Sequence, residues 1–297
     1  MTKKLLVTGF NGFVAGSVIA HAKGKWEVHG IDLTESSTND PHIHYHPLDL
    51  LDDQKLSELF QKIAPNAVIH TAAMANIDVC QNNQEKAGQV NVGITTTIAR
   101  LCKEVGAKMI LCSTDTVFDG KKGNYSETDA PNSINFYAET KIKAEQIVLS
   151  TSSNNVVARL SLVMGLPVMG QGNSFLADTI EKLKKGTQIP FPVNEIRTPI
   201  DVITLGSALV ELAGNQFGGI IHLAGNTKIN RYLMAREIAV TLGYSPELIL
   251  CTDSNTMEGR APRPNDASMD NSLAKKILRT PMRSLSEGLM LTLNFKI

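Results

Sequence analysis

The stretch Leu5-Leu6-Val7-Thr8-Gly9-Phe10-Asn11-Gly12-Phe13-Val14-Ala15-Gly16 decides the fold of this chain, because an apolar run passes straight into a glycine turn that opens a helix. Gly9 permits the tight turn, Gly12 lets a pyrophosphate approach the backbone, and Ala15 allows the helix to pack closely on the strand. Free N–H groups at the start of such a helix bind anions. We therefore predict a dinucleotide-binding turn, with a turn that only connects two elements as the alternative. The predicted cofactor contacts are Gly9, Asn11, Gly12, Phe13 and Val14.

Apolar runs and helical patterns alternate along the chain. Six short runs show no regular alternation with polar residues, as expected for strands of a parallel sheet that helices cover on both faces. From about 85 to 105, apolar residues recur every three to four positions, which predicts a helix. Together these patterns predict an α/β fold, a doubly wound parallel sheet of the Rossmann type. The predicted strands lie at 5–7, 28–31, 67–69, 109–111, 156–158 and 220–223.

The sequence changes character after position 160. A segment rich in Gly, Pro and Met spans 165–172, and prolines punctuate 190–199. Asp201 then caps a predicted helix before the strand at 220–223. Chains longer than about 250 residues usually divide their core. We predict a Rossmann domain over 1–162 and about 198–226, and a smaller C-terminal substrate-binding lobe over about 163–197 and 227–297.

The charge balance argues against large charged partners. Lys and Arg number 29, and Asp and Glu also number 29, so phosphate binding has to come from local geometry. No apolar run approaches the roughly 20 residues that cross a bilayer, and the N-terminal residues do not resemble a signal peptide. The four cysteines show no C-x-x-C spacing. We expect reduced structural thiols, a cytoplasmic protein and a small-molecule ligand, with no nucleic-acid or membrane partner.

Asp32 follows the second predicted strand, about 20 residues beyond the glycine turn. An acidic side chain at this place accepts hydrogen bonds from the adenosine ribose hydroxyls, and its charge repels a 2′-phosphate. The sequence therefore favours NAD(H), with the neighbouring Leu33 also at the cofactor. NADP(H) stays open, because Asp32 could only cap a loop, and Thr34, Ser36 and Ser37 could accommodate the phosphate.

Asp49 and Leu50 follow the next extended segment. There a carboxylate would lie near the adenine amino group and an apolar side chain near the adenine ring. An ordinary surface turn explains the two residues equally well.

Tyr137 and Lys141 lie four residues apart, so on a helix their side chains share one face. A tyrosine ionises at about pH 10, and a neighbouring ammonium together with the positive nicotinamide ring is expected to lower the pKa of Tyr137, so that it works as a general acid or base. Ser113 and Thr114 end the preceding strand, at the edge where open α/β sheets bind ligands. Thr114 could hydrogen-bond a substrate carbonyl there. The alternative is a surface tyrosine and lysine without a catalytic role.

The order of these motifs resembles that of the extended short-chain dehydrogenase/reductases: a glycine turn, Asp32, Ser113-Thr114 and Tyr137-x-x-x-Lys141. The stretch Ser113-Thr114-Asp115-Thr116-Val117-Phe118-Asp119-Gly120 is similar to the S-T-D-Y-V-F-D-G stretch of the dTDP-4-dehydrorhamnose reductases, a group within that family. Arg263-Pro264 continues the similarity, which extends over nearly the full chain.

The resemblance implies an NAD(P)-dependent oxidoreductase that reduces a keto group on a nucleotide-activated deoxysugar. It implies a catalytic trio of Thr114, Tyr137 and Lys141, of which Tyr137 and Lys141 also contact the cofactor. Thr116 stands where the reductases carry a tyrosine, so the resemblance does not define the sugar. The other implied contacts are Thr71, Ala72, Ala73, Asn91 and Ser113 for the cofactor, and Met74, Asp115, Thr116 and Arg263 for the substrate.

Three alternatives to these implied roles stay open. A sugar-nucleotide epimerase or dehydratase would use the same trio and return the hydride within one turnover. A dinucleotide-binding regulatory subunit, similar to the beta subunit of methionine adenosyltransferase, would keep the fold and serve a partner enzyme. Arg263 could be exposed to solvent rather than bind a substrate diphosphate. The family resemblance is also compatible with a homodimer.

His42, His44 and His46 alternate along an extended segment and could project from one face as metal ligands. We prefer a polar strand edge, because no cysteine or further histidine lies nearby in sequence to complete a site. The sequence therefore predicts no metal site.

Overall fold

The computed structural model describes residues 2–34, 40–169 and 174–295. The chain alternates strands and helices and places most strands in one sheet. The strands are β1 (Lys4–Thr8), β2 (Glu27–Asp32), β3 (Ile43–Pro47), β4 (Ala67–His70), β5 (Lys108–Thr114), β6 (Val156–Leu160), β7 (Val163–Met164), β8 (Ile189–Pro192), β9 (Ile196–Arg197), β10 (Ile200–Asp201), β11 (Gly219–Leu223), β12 (Ile229–Asn230) and β13 (Ile249–Thr252). The α-helices are α1 (Phe13–Ala22), α2 (Asp53–Ile63), α3 (Ile77–Asn82), α4 (Gln84–Gly88), α5 (Ile94–Val105), α6 (Phe136–Thr151), α7 (Phe175–Lys184), α8 (Val202–Gly214), α9 (Arg231–Thr241), α10 (Ser272–Ile277) and α11 (Leu285–Asn294).

The central sheet has seven strands in the order β11-β6-β5-β4-β1-β2-β3, and every neighbouring pair is parallel. The chain moves outward from β1 to β3, then crosses to β4 on the other side of β1 and moves outward again. This reversal confirms the predicted doubly wound sheet. It creates a switch point between β1 and β4, where open α/β sheets bind ligands beyond the carboxyl ends of their strands.

Neighbouring residues of β1 serve opposite faces of the sheet, as the two-residue period of a strand requires. Leu5 and Val7 belong to the core that includes residues of α1 and α8, whereas Leu6 belongs to the core that includes residues of α2 and α5. All residues of β4 and β5 are buried, which fits a sheet that is covered on both faces. Burial of one such leucine contributes roughly 1.5–3 kcal/mol, so these two cores stabilise the sheet.

The predicted helix at 85–105 is interrupted. The chain forms α4, then a π-helical turn at Gln89–Gly93, and then α5. A π-turn is wider than an α-turn and often occurs at functional sites. Here it contains Asn91, whose side chain is buried. The spacing of apolar residues predicts the helical character of this segment but not the wider turn.

Three pairs of short strands lie outside the central sheet: β7 with β10, β8 with β13, and β9 with β12. Two smaller apolar clusters include residues of α7, α9 and α11, and their buried members come from 164–191 and 234–289. Ala274, Leu278 and Met282 instead belong to the core of the central sheet. The C-terminal segment therefore packs both on the sheet and beyond it. Asp201 caps α8 as predicted, because its carboxylate accepts the Thr204 N–H at 2.7 Å.

The histidine-rich segment forms the edge strand β3, which confirms the predicted polar strand edge. His44 is exposed and His46 is partly buried, while His42 lies before the strand. The four cysteines form no disulfide, and Cys251 is exposed whereas the other three are buried. Within the ranges that the structure describes, no helix has the length and apolar character needed to cross a bilayer.

Candidate active site

Close backbone contacts shape the glycine turn after β1. Gly9 has a φ of +70°, which other L-residues rarely adopt, and a Cβ atom built on it would lie 3.0 Å from the Cα atom of Ala72. A Cβ atom on Gly12 would lie 2.8 Å from the Gly9 carbonyl oxygen. The N–H groups of Gly9 and Phe10 donate to the Ile31 carbonyl oxygen at 2.9 and 3.1 Å. The turn is thus fixed between the carboxyl ends of β1, β2 and β4.

Helix α1 begins at this turn without a side-chain cap. Its N-cap residue is Gly12, and no side chain among the described residues accepts a hydrogen bond as its cap. By contrast, α2, α6 and α8 each begin at a residue whose side chain accepts a backbone N–H group. The first N–H groups of α1, which include those of Phe13 and Val14, therefore remain available to an anionic ligand.

Asp32 ends β2 and connects that strand to the glycine turn. One of its carboxylate oxygens accepts the Asn11 N–H at 3.0 Å, and the other accepts the Leu33 N–H at 2.7 Å. A carboxylate has about four acceptor positions in total, so Asp32 can also accept hydrogen bonds from a ligand. Leu33 is 68% exposed, so it offers an apolar surface next to that carboxylate.

The residues that could accommodate a 2′-phosphate are described only in part. The Asn11 side-chain amide donates to Thr34 Oγ1 at 2.8 Å, so Thr34 lies at the edge of the glycine turn. Ser36 and Ser37 lie outside the described residues.

Asp49 and Leu50 occupy a turn after β3. Asp49 Oδ1 accepts the Leu51 N–H at 2.9 Å, which closes the turn. Leu50 is only 8% exposed and belongs to the core on the α2 side of the sheet. Most of the Leu50 side chain therefore packs inside the protein, which leaves little surface for an adenine ring.

Asn91 connects the segment after β4 to helix α6. Its Oδ1 accepts the Met74 N–H at 2.8 Å, and its Nδ2 donates to the Met74 carbonyl oxygen at 3.1 Å and to Thr140 Oγ1 at 3.0 Å. At the start of the same segment, Thr71 donates to the Thr8 carbonyl oxygen at 2.6 Å. These bonds fix the wall at residues 71–74, which includes Ala72 and Ala73, against β1 and α6.

His70, the last residue of β4, is buried below that wall. Its Nδ1 lies 2.7 Å from Thr8 Oγ1, and its Nε2 lies 3.2 Å from Thr95 Oγ1. Burial, and then the nearby charge of Lys141, lower the pKa of His70 to about 3. The imidazole is therefore neutral near pH 7 and serves as a hydrogen-bonding link between β1, β4 and α5.

Thr114, Tyr137 and Lys141 are all buried, and Thr114 and Tyr137 line one cleft, whereas Lys141 is not among the residues that line it. Thr114 ends β5, and Tyr137 and Lys141 lie one turn apart on α6, which begins after the cap residue Asn135. All three side chains of the trio are less than a tenth exposed. Thr114 is a hydrogen-bonding neighbour of the Tyr137 phenol.

Burial is the main influence on the pKa of Tyr137. Burial raises it above the ordinary value of 10, and the charge of Asp115 raises it further, while the hydrogen bond with Thr114 opposes these effects. Burial also lowers the pKa of Lys141, whose charge interacts mainly with Cys112 and Glu145. Desolvation therefore outweighs any effect of the Lys141 ammonium within the protein, while the predicted lowering also includes the charge of a bound nicotinamide ring and stays a prediction.

A buried ion pair lies behind Lys141. Arg159 donates to both oxygens of Glu145, at 2.8 Å from Nη2 and at 3.0 Å from Nε. Ser113 also donates to Glu145, so its hydroxyl is already bonded inside the protein. Removing one partner of such a pair leaves an uncompensated charge. Because Ser113 lies on β5, Arg159 on β6 and Glu145 on α6, these bonds hold the ends of the two strands against the helix.

Thr114 and Tyr137 line a cleft of about 470 Å³. Three predicted substrate residues line the same cleft, namely Asp115, Thr116 and Arg263, together with the predicted cofactor residue Ser113. Met74 is not among the lining residues and packs in a small apolar cluster with Tyr137. The structure therefore brings most of the predicted substrate contacts together.

The cleft carries more positive than negative charge. Four arginines and three carboxylates line it, which leaves a formal charge of +1. The sequence did not identify most of these residues, because they come from separate segments and belong to no motif. The ion pairs are Arg197 with Asp115 at 3.4 Å, Arg260 with Glu195 at 2.6 Å, and Arg263 with Asp78 at 2.5 Å.

Arg231 differs from the other three arginines because no carboxylate of the described residues lies within hydrogen-bonding distance of it. The closest carboxylate oxygen, from Glu195, is 3.9 Å from its Nη1. Its guanidinium lies over the rings of Phe175 and Phe191, and its Nε has no hydrogen-bond partner among the described residues. Unused guanidinium donors suit a bidentate anion such as phosphate.

Arg263 is held in place by Asp78. Its Nη1 and Nη2 bind the two oxygens of this carboxylate at 2.5 and 2.7 Å, and its side chain is 11% exposed. The alternative of a solvent-exposed arginine is therefore wrong. Charge neutralisation by Asp78 leaves Arg263 less able than Arg231 to attract an anion.

Thr116 occupies little space beside Thr114. Its Oγ1 lies 3.0 Å from Thr114 Oγ1, and its N–H donates to the same Thr114 oxygen at 3.2 Å. The neighbouring Asp115 is buried, and burial raises the pKa of its carboxyl although Arg197 opposes the effect. A threonine in this position thus orients Thr114 and leaves room in the cleft that a tyrosine would fill.

The doubly wound sheet, the uncapped glycine turn and the Tyr137-x-x-x-Lys141 motif beside Thr114 together define an extended short-chain dehydrogenase/reductase. More specifically, the chain belongs to the family of the RmlD substrate binding domain, whose profile matches residues 3–295.

Known proteins resemble this chain over almost its whole length. Methionine adenosyltransferase 2 subunit beta from Xenopus laevis is 28% identical over 292 residues, which cover 95% of this chain and 85% of the relative. A hypothetical dTDP-4-dehydrorhamnose reductase from Sulfolobus tokodaii is 30% identical, with a TM-score of 0.83 and coverage of 96% and 98%. The dTDP-4-dehydrorhamnose reductase from Bacillus anthracis, solved in complex with NADP, is 22% identical, with a TM-score of 0.88 and 99% coverage of both chains.

Proposed function

We propose that this protein is an NAD(P)H-dependent oxidoreductase that reduces a keto group on a nucleotide-activated deoxysugar. The placement of Tyr137 and Thr114 in one cleft with an excess of arginine carries the proposal. A phenol and a hydroxyl can bind and protonate a carbonyl oxygen, and arginines can bind the diphosphate of an activated sugar. The structural similarity to dTDP-4-dehydrorhamnose reductases supports the same activity.

The residues around the glycine turn fit a dinucleotide. The N–H groups at the start of α1 would hold the pyrophosphate, Asp32 the adenosine ribose, and Lys141 the nicotinamide ribose. When bound, the nicotinamide supplies the hydride. We favour NAD(H), because the carboxylate of Asp32 opposes a 2′-phosphate. NADP(H) is the second choice, and Asn11 and Thr34 are the described residues that would then lie nearest to the phosphate.

Two side chains of the protein act on the carbonyl oxygen of the substrate. Thr114 donates a hydrogen bond that orients the oxygen, and Tyr137 gives it a proton. The raised pKa keeps the Tyr137 phenol in the protonated form that a proton donor needs, but it also makes the phenol a weaker acid. Arg231, aided by Arg263, binds the diphosphate, and the space beside Thr116 accepts part of the sugar.

The test is a set of nucleotide 4-keto-6-deoxysugars offered with NADH or NADPH, with nucleotide consumption followed by absorbance. We expect net oxidation of the reduced nucleotide. Tyr137→Phe removes the proton donor and should slow turnover roughly 10²- to 10⁴-fold. Tyr244→Phe is the matched control, because Tyr244 packs against an apolar cluster away from the cleft. It should keep the parent rate.

Two results would contradict this mechanism. Equal rates of Tyr137→Phe and the parent would show that Tyr137 is not the proton donor. Conversion of the sugar without net consumption of reduced nucleotide would instead show a sugar-nucleotide epimerase or dehydratase.

A second candidate function is that of a regulatory subunit. The similarity to methionine adenosyltransferase 2 subunit beta over 95% of the chain favours it. The presence of Thr114, Tyr137 and Lys141 favours an enzyme, because a regulatory subunit has no need of all three together. Stable co-purification with a methionine adenosyltransferase, combined with no turnover of any keto sugar, would reverse our preference.

We also propose how the protein is organised and where it works. The Rossmann domain would comprise 1–162 and about 198–226, and the substrate-binding lobe about 163–197 and 227–297. A cytoplasmic homodimer fits a nucleotide-sugar enzyme of this family. Light scattering during size-exclusion chromatography would test the dimer, since a mass of 32.2 kDa would indicate a monomer.

A further inference from the structure

A cluster of potential metal ligands lies on β2 and β3. Glu27 and His29 are two residues apart on β2, so their side chains leave the same face of the sheet. His44 on β3 is the direct neighbour of His29 in the parallel register. Each of these three side chains offers a ligand atom, and the three atoms lie within 4.8 Å of one another.

The spacing of these atoms is close to that of a metal site. His29 Nε2 lies 3.0 Å from Glu27 Oε1, and His44 Nε2 lies 3.9 Å from the same oxygen. Ligands at about 2.0–2.1 Å from a tetrahedral zinc ion are separated by about 3.3 Å. The three side chains therefore need only small adjustments to surround one ion.

His46 orients the central ligand of the cluster. Its Nε2 lies 3.1 Å from His29 Nδ1, and the two rings are nearly parallel at 10°. Imidazoles that bind metals usually engage their second nitrogen in such a bond, which fixes the ring. The other nitrogen of His29, Nε2, then faces the Glu27 carboxylate. Both groups can act as acceptors, so a proton or a cation has to lie between them.

Nearby charges indicate which kind of ion this cluster suits. Lys4 and Lys62 lie close enough to affect the histidines, so no broad negative field attracts cations. The Lys4 ammonium is itself bonded to the Ile63 carbonyl oxygen at 3.1 Å. Affinity therefore has to come from direct bonds to imidazole nitrogen. Such ligands favour zinc, nickel, copper or cobalt over magnesium or calcium.

We propose that Glu27, His29 and His44 bind one divalent transition-metal ion, with zinc as the representative, and that His46 supports His29 from the second coordination sphere. The side chain of His44 is 44% exposed, so a fourth position is open to water. The ion would tie the edge strand β3 to β2. Glu27 and Asp32 lie at opposite ends of β2, about 16 Å apart, so we assign the ion a stabilising role rather than a catalytic one.

This proposal replaces the sequence-based expectation of no metal site. That expectation considered His42, His44 and His46 and found no cysteine or further histidine nearby in sequence, while Asp52 and Asp53 could contribute only if the loop folded back. The sheet supplies Glu27 and His29 from the neighbouring strand, while His42 is outside the cluster. The proposed metal site therefore depends on the register between β2 and β3, which the local sequence pattern does not define.

The test uses full-length protein without a polyhistidine tag, stripped of metal with a chelator. Calorimetric titration with zinc should show one ion per chain, and zinc should raise the unfolding temperature because it binds only the folded state. His44→Ala should weaken binding by at least tenfold without loss of folding, since His44 lies on the surface. His46→Ala should weaken it about tenfold, as expected for a second-sphere residue.

His42→Ala is the matched control, because it removes a histidine from the same segment but not from the cluster. It should bind zinc within twofold of the parent. Absence of stoichiometric binding would overturn the proposal, as would equal affinities of the parent and His44→Ala. Equal losses in His42→Ala and His44→Ala would also overturn it. The outcome is independent of any enzymatic activity.

Discussion

Asn91 offers a strong test of how the structure supports the candidate active site. The substitution Asn91→Ala removes three hydrogen bonds, two to the backbone of Met74 and one to Thr140. Asn91 is only 1% exposed, so water cannot readily replace the lost partners. At about 1 kcal/mol for each net hydrogen bond, the free energy of unfolding should fall by about 3 kcal/mol.

Chemical unfolding with urea, followed by circular dichroism, would measure this change. The melting temperature should also fall, by about 2–4 °C for each kcal/mol in a protein of similar size. Because residues 71–74 form the wall beside the glycine turn, the KM for the dinucleotide should rise more than the KM for the sugar substrate. This difference separates a loosened cofactor wall from a general loss of stability.

Asn83→Ala is a suitable control for the same chemical change. Asn83 is exposed, and its side chain makes one hydrogen bond to the Val79 carbonyl oxygen. We expect this variant to stay within about 0.5 kcal/mol of the parent. If Asn91→Ala were equally stable, or if it bound dinucleotide as tightly as the parent, the bridging role assigned to Asn91 would be refuted.

Two further substitutions test the charges around the site. The pKa of His70 is about 3 in the folded protein, against an ordinary value of 6.5. As the pH drops from 6.5 towards 3, the imidazole is protonated in the unfolded chain but not in the folded protein, so the free energy of unfolding should fall. The free energy of unfolding, measured with urea, should therefore decrease less between pH 7 and pH 5 in His70→Asn than in the parent. An equal decrease in both proteins would show that His70 does not contribute to the pH dependence of stability. Arg231→Met keeps an unbranched side chain beside Phe175 and Phe191 but removes the charge, so the KM for the nucleotide sugar should rise roughly tenfold or more. Arg236→Met on the same helix is the control, and equal KM values for the two variants would exclude a diphosphate contact at Arg231.

The sequence predicted those parts of the fold that depend on local pattern. The glycine turn, Asp32 and the Tyr137-x-x-x-Lys141 motif are each contained within a few residues, and their spacing along the chain follows from the order of strands and helices. The parallel sheet followed from apolar runs that have no polar face. Each of these features has a direct physical counterpart in the sequence.

Other parts of the site depend on contacts that no local pattern encodes. Asn91 contacts Met74 from a π-turn, and the apolar residues around this turn have nearly the same spacing as in an α-helix. The sequence pattern therefore does not distinguish the two. The arginines of the cleft come from distant segments that meet only in the folded chain. The burial that raises the pKa of Tyr137 within the protein likewise cannot be deduced from a short motif.

The late position of α8 in the chain has a consequence for biosynthesis. Leu205 and Leu209 of this helix pack on the face of the sheet that carries Leu5 and Val7. Six of the seven sheet strands are complete by residue 160, and α1 already covers part of that face, but the part that α8 covers stays exposed until the ribosome has made residues 202–214. The nascent chain therefore exposes part of this apolar surface while about 40 further residues are made, and such transiently exposed surface is prone to aggregation.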